Sequence, residues 1–213
     1  MGVRQGHVEN AASQAHWDEA YGSLSASGVS WYQPRPTLSV DLISTLELPT
    51  ATPVIDVGGG ASTLTDSLVR MGFVDLTVLD LSGTALDLAK KRLGPGAPVE
   101  WIHDDLLTWE PRRSYGLWHD RAVFHFLTQE YERSTYLEKL GSAITRPGYV
   151  ILATFAADGP ERCSGLPVAR YGVEELTAVL LTVGVEVVGG CREDHVTPSG
   201  TVQPFSWVIG GAT

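Results

Sequence analysis

Three well-spaced acids and a run of glycines are the residues in this chain best suited to hold a ligand. Asp56 lies in "VIDVGGGAS", a hydrophobic run that turns at Gly58, Gly59 and Gly60. Glycine tolerates positive φ and lets the backbone approach a ligand closely. A second acid, Asp80, ends the run "LTVLD" 22 residues after Gly58, and Asp104 and Asp105 end the next run, "VEWIHDD". A carboxylate at Asp80 can accept hydrogen bonds from both hydroxyls of a ribose, and one at Asp104 or Asp105 can accept from an exocyclic adenine amine. Two phosphate cradles fail. Thr63 stands where G-x-G-x-x-G needs its third glycine, and no lysine follows the glycines as G-x-x-x-x-G-K-[ST] requires. What remains is a nucleoside site without a phosphate clamp.

A second cluster has the density of a reaction site. "HDRAVFHFLT" places His119, Asp120, Arg121 and His125 within seven residues. Such groups can position a substrate, and a histidine or carboxylate can take a proton from it. The plainer alternative makes Asp120 a helix-start acid, Arg121 a surface cation and His125 a packed ring. Further on, "FAADGPERCSGLPVARYG" has little regular pattern. Loops beyond ~12–15 residues are usually functional or disordered, and its Pro, Arg and Cys content favours an ordered substrate-binding loop. Cys163 in it reads as a spectator thiol.

The elements that must carry these residues follow from periodicity. "PVIDV", "DLTVLDL", "VEWIHDD", "YGLWHD" and "YVILATF" read as strands. Helical patterns alternate with them: "STLTDSLVRMG", "SGTALDLAKKRLG" from an N-cap at Ser82 to Gly94, "QEYERSTYLEKLGSAI" and "VEELTAVLLTVG". "VEVVGGC" and "QPFSWVIGG" follow with no helix between them and should pair antiparallel. Repeated βα units imply a parallel sheet with helices on both faces. The expected fold is α/β, a doubly wound, mostly parallel sheet of seven strands, with an antiparallel C-terminal β-hairpin and an N-terminal helical cap. One domain spans 1–213, with the cap at 1–50 and the ligand-binding core at 51–213. Trp17 and Tyr21, four apart on one helical face, read as a staple between cap and core.

Composition narrows the partners. A net charge of −10 leaves no basic stripe for a nucleic-acid backbone. Two cysteines without metal-ligand spacing argue against a disulfide framework or a metal site and for a reducing compartment. With no secretory signal and no apolar run of ~18 residues, a cytoplasmic protein that does not span a membrane is expected. The sequence carries no signal for an oligomeric state.

From about residue 50 to 210 the chain resembles the class I S-adenosylmethionine (SAM) dependent methyltransferases. "VIDVGGGAS" looks like their first motif, "VLDLS" like the acidic end of strand two, and "WIHDDLLTW" like the third motif. "TRPGYVILATF" resembles their Pro-Gly turn and fifth strand. Ser62 departs from a common third glycine, and Gly116 stands where Asp is common before strand four. The resemblance implies SAM as cofactor, with Gly58 and Gly60 near its methionine part and Asp56 toward the methionyl amine. It further implies Asp80 with Leu81 at the ribose, Asp105 with Leu106 at the adenine, and His119 at the methionyl end. In this reading Trp31 and Tyr32 roof the sulfonium by cation–π contact. Arg35 pairs with the methionyl carboxylate. Asp120, Arg121 and His125 position the acceptor or act as base. The expected activity is methyl transfer to an N, O or S atom of a small molecule. The alternatives are a protein-lysine methyltransferase, since "DRAVFHFL" shares an acid, a basic and a small residue with that group, and a SAM-binding module without catalysis.

Overall fold

The structure, a computed structural model, describes residues 6–23 and 27–213, with side chains from residue 14 onward. Residues 1–5 and 24–26 of the expected cap lie outside the described residues. Within the cap are two helices, α1 (Gly6–Ser23) and α2 (Thr37–Thr45). The core then alternates β1 (Val54–Val57), α3 (Leu64–Arg70), β2 (Leu76–Asp80), α4 (Gly83–Leu93), β3 (Val99–His103) and β4 (Tyr115–Arg121). A short 3₁₀ turn at Phe124–Phe126 leads to α5 (Glu130–Ala143) and β5 (Ile144–Phe155). A small ribbon, β6 (Arg162–Cys163) with β7 (Leu166–Pro167), precedes α6 (Val173–Leu181), β8 (Val185–Val196) and β9 (Val202–Ala212).

Seven strands form one sheet in the order β3-β2-β1-β4-β5-β9-β8. The first five are parallel, and β9 pairs antiparallel with both β5 and β8. This is the expected doubly wound sheet with its closing hairpin. Chain order reverses between β1 and β4, so a crevice opens at their carboxyl ends, where such sheets bind ligands.

A parallel sheet must be covered on both faces, and the alternation of side chains does this. Leu117 and Ile151 join Ile43, Leu64 and Leu68 of α2 and α3 in one buried cluster. Their neighbours Trp118 and Leu152 join Tyr136, Leu140, Leu176 and Leu180 of α5 and α6 in the other. Helix ends follow local chemistry. Ser82 Oγ accepts from the Ala85 amide at 3.1 Å, and Gly94 closes α4 with φ of 79°.

Two segments differ from expectation. The "TRPG" turn is absorbed into β5, which starts directly at the end of α5; the extra residues appear as a register shift between Tyr115 and Leu117 on β4. Arg146 ties this corner down by donating to the carbonyls of Val183, Gly184 and Thr213. The patternless stretch after β5 contains the β6–β7 ribbon, too short to leave a period in the sequence.

Candidate active site

The three acids meet at the crevice because each ends, or immediately follows, one of three adjacent strands. In register, Asp56 on β1 lies beside Val78 on β2 and His119 on β4. Asp80, at the end of β2, pairs with His103, just before Asp104 and Asp105. A cavity of about 590 Å³ opens here, within the range of small-molecule sites. Gly58, Asp80, Leu81, Asp104, Asp105 and Leu106 border one part of it. Trp17, Trp31, Phe126, Leu166, Pro167 and Phe205 border another.

The glycine turn is shaped by close approach. Gly58 has φ of 65°, and a Cβ there would run into Val123. Gly60 has φ of 41°, and a Cβ there would stand 2.8 Å from Asp80 Oδ2. Both departures from the family pattern have local reasons. Ser62 Oγ accepts from the Leu64 amide at 3.1 Å as α3 begins. A side chain at Gly116 would meet Thr52 Cγ2 at 2.5 Å.

Asp80 Oδ1 accepts from the Ser82 amide at 2.7 Å. Its carboxyl borders the cavity and is partly buried. Burial first, then the Asp56 and Asp18 carboxylates, push it up to about 7 against the donors Ser82 and Gly60. Hydroxyl donors brought by a ligand would relieve that. Asp105 Oδ1 caps its own loop through the Leu107 amide at 2.9 Å.

At the methionyl end implied by the resemblance, His119 Nδ1 and Asp56 Oδ1 are 2.7 Å apart, and His119 Nε2 is 3.0 Å from Ser39 Oγ on α2. With Nδ1 donating to Asp56, Nε2 is left to accept from the Ser39 hydroxyl. Asp56 Oδ2 is buried with no hydrogen-bond partner. It faces a smaller cavity of about 60 Å³ shared with Tyr32, Gln33, Gly58 and His119. An unpaired buried carboxylate oxygen beside room for about two waters fits an ammonium group. Arg35, by contrast, is exposed and borders neither cavity. Its neighbours Tyr32, Gln33 and Pro36 border the smaller cavity.

The segment after β4 divides sharply. Arg121 and Ala122 border the large cavity; Asp120 and His125 are fully buried and do not. Asp120 Oδ1 accepts from the Val123 amide at 2.8 Å, and Oδ2 accepts from the Phe124 amide at 3.1 Å and the Tyr136 hydroxyl at 2.8 Å. Tyr136 in turn accepts from Trp118 Nε1 at 2.9 Å. These bonds hold a turn in which Ala122 takes φ of 78°, a conformation that costs a non-glycine residue about 1–3 kcal/mol. Burial lifts the Asp120 carboxyl to about 6 despite these donors.

His125 is wedged between Phe126 and Phe155, with ring centroids at 4.4 and 4.7 Å. Its Nδ1 accepts from the Phe155 amide at 3.3 Å, and burial, with Arg121 nearby, lowers its pKa to about 3. The ring therefore carries its proton on Nε2 and is neutral. The unfolded chain binds a proton below about pH 6.5, which the folded chain refuses until about pH 3. Stability should fall across that window as pH is lowered, by at most about 1.4 kcal/mol per pH unit from this group. Urea denaturation of His125→Phe between pH 7 and 4 should give a flatter profile than wild type.

The sequence reading passed over several residues of the cavity. Trp17 and Tyr21 staple α1 to the core as expected, with Trp17 at 5.5 Å from Trp31 and 5.1 Å from Phe126, but both also border the cavity. Tyr21 accepts from Trp31 Nε1 at 2.9 Å. Asp18 on the same helix accepts from Ser82 Oγ at 2.7 Å and the Thr84 amide at 3.1 Å, docking α1 over the start of α4. Their spacing of four was the available signal. Phe205, more than 80 residues from Arg121, gave none. Cys163 borders the cavity as a thiol that burial pushes up to about 12.

Comparison with known proteins agrees with this geometry. Residues 54–148 match the family model of a methyltransferase domain. No curated protein matches the chain. Among solved structures, a SAM-dependent methyltransferase from Anabaena variabilis superposes with a TM-score of 0.76 at 15% identity, over 100% of this chain and 96% of that one. The 1,6-didemethyltoxoflavin-N1-methyltransferase of Burkholderia thailandensis, with 1,6-didemethyltoxoflavin and S-adenosylhomocysteine bound, gives 0.70 at 16% identity, over 100% and 92%. A SAM-dependent methyltransferase from Methanosarcina mazei gives 0.66 at 15% identity, over 79% and 96%. The core of the chain thus carries a methyltransferase domain, and its sheet order is the fold that these SAM-dependent methyltransferases share.

Proposed function

We propose that the chain is a class I SAM-dependent methyltransferase, an enzyme with SAM as its cofactor, and that it methylates a heteroatom of a small molecule. The observation that carries the reading is the continuity of one cavity from the carboxylates of Asp80 and Asp105 to an aromatic chamber roofed by α1. Bound SAM supplies an electrophilic methyl group on a sulfonium. The chain's own residues supply position. Asp80 and Leu81 would hold the ribose, Asp105 and Leu106 the adenine, and the free oxygen of Asp56 the methionyl ammonium, with His119 fixing the Asp56 carboxylate.

In-line displacement needs the acceptor opposite the leaving sulfur, so orientation and exclusion of water contribute most of the rate. Trp17 and Trp31 close the chamber from the cap side, and Phe126 and Phe205 close it from the core. Asp120 and His125 are positioning residues here, since neither reaches the cavity. Residues 1–50 act as the cap of one methyltransferase unit. A similarly folded protein, the Burkholderia enzyme, is named for methylating a small molecule at nitrogen.

Incubation with SAM and either the low-molecular-weight or the protein fraction of a cell extract tests the reading. Release of S-adenosylhomocysteine with the small-molecule fraction, and a product heavier by one methyl group in place of hydrogen, is expected. Methylation confined to the protein fraction would refute it.

A further inference from the structure

One strand-end cation is left without a role by the cofactor site. The Arg121 side chain is only 10% exposed, and it is the only Lys or Arg among the described residues bordering either cavity. Its Nη1 donates to the Trp31 carbonyl at 3.2 Å, while Nε and Nη2 have no acceptor. Glu193 Oε2 lies 3.9 Å from Nε but already accepts from the Trp207 indole at 3.0 Å, and Oε1 accepts from Gln33 at 2.8 Å. The guanidinium carbon sits 4.4 Å over the Phe205 ring. A buried cation with two unmet donors is costly unless a ligand brings the acceptor.

Its surroundings indicate which ligand. The ionisable groups around it are Glu193 and His195 from β8, Cys163 from β6 and His125 from the turn, with Tyr21 of α1 across the cavity. The nucleoside-side acids Asp80 and Asp105 stand on or after β2 and β3, across β1 from Arg121. The walls on the Arg121 side are flat and apolar: Trp17, Trp31, Phe126 and Phe205. Glu132 of α5 also borders the cavity, but its carboxylate caps its own helix, accepting from the Gln129 amide at 2.9 Å and the Tyr131 hydroxyl at 3.4 Å. His125 and Asp120 are sequestered behind the wall, and the Cys163 thiol keeps its proton.

We propose that the acceptor is a planar phenol bound as its phenolate, its anionic oxygen on Arg121 Nε and Nη2 and its ring between the aromatic walls. The inference rests on the proposed function above. The phenolate oxygen attacks the methyl carbon and the C–S bond breaks with its electron pair left on sulfur. An aryl methyl ether and S-adenosylhomocysteine result. Oxyanion and sulfonium charges cancel, so no proton moves and no base is needed. Arg121 thus replaces a general base by keeping the acceptor ionised.

The probe is 4-nitrophenol, whose phenol and phenolate absorb at different wavelengths, titrated with protein saturated with S-adenosylhomocysteine. Wild type should bind it with the phenolate favoured at least tenfold more than in solution, a downward shift of about one pH unit in the probe's titration. Arg121→Gln should abolish the shift and Arg121→Lys should keep part of it, both with wild-type affinity for S-adenosylhomocysteine, which also certifies their fold. Three results overturn the inference: an equal shift in Arg121→Gln, no saturable probe binding by wild type, or a loss of S-adenosylhomocysteine affinity in Arg121→Gln, which would put the guanidinium on the methionyl carboxylate. Wild type that binds no S-adenosylhomocysteine would instead refute the cofactor site itself.

Discussion

Asp80→Ala should lose SAM affinity by about 100-fold or more, because two charge-assisted hydrogen bonds to the ribose, each worth roughly 1.5–3 kcal/mol, disappear together. The same residue sets a pH dependence. Its carboxyl titrates near 7 in the free protein, and hydroxyl donors favour the ionised form. Binding therefore expels a proton below pH 7, and affinity should rise between pH 6 and 8 by at most about tenfold per unit before levelling. Asp80→Asn should remove that step; comparing it with wild type cancels the ligand's own titration. Calorimetry across this range is the measurement. Equal affinity in folded Asp80→Ala would mean that the ribose lies elsewhere.

The second large effect is on stability. Asp120→Ala strips the acceptor from the partly buried Val123 amide, the buried Phe124 amide and a buried tyrosine hydroxyl. Each unmet buried donor costs about 1–3 kcal/mol, so a loss on the order of 3–5 kcal/mol is expected after partial relaxation. For a chain of this size that lowers the melting temperature by about 6–20 °C. The mechanism separates the variants. Asp120→Asn keeps one acceptor oxygen and should recover part of the loss, and Tyr136→Phe, which leaves the Trp118 indole unpaired, should fall between wild type and Asp120→Ala. Thermal melts settle the order. An Asp120→Ala protein with wild-type stability but greatly reduced turnover would instead place the carboxylate in the chemistry.

The legible part of this protein is the part written in consecutive residues. Strand runs, the Ser82 cap and the acids ending successive strands are local features, and local features fix βα units and their order. The crevice follows, because parallel strands with crossover helices put their carboxyl ends side by side. The "HDRAVFHF" cluster shows where this stops. Its four ionisable groups are equally conspicuous in sequence, yet period-2 alternation and one strained turn send them to different places. Arg121 enters the cavity, His119 braces Asp56, and Asp120 and His125 disappear into the core. Which way each side chain goes depends on α5 and β9, distant in sequence. Arg35 shows the same limit: its loop borders the smaller cavity through Tyr32, Gln33 and Pro36, but its own side chain is exposed. Glu193 and Phe205, which frame Arg121, become neighbours only when the terminal hairpin closes on β5.

A crystal structure of the protein with S-adenosylhomocysteine tests the central claim most directly. The account predicts the ribose hydroxyls on Asp80, the adenine amine at Asp105, the ammonium on the free oxygen of Asp56, and the sulfur facing the chamber of Trp31 and Arg121. A ribose remote from Asp80, or a sulfur turned away from that chamber, would contradict it.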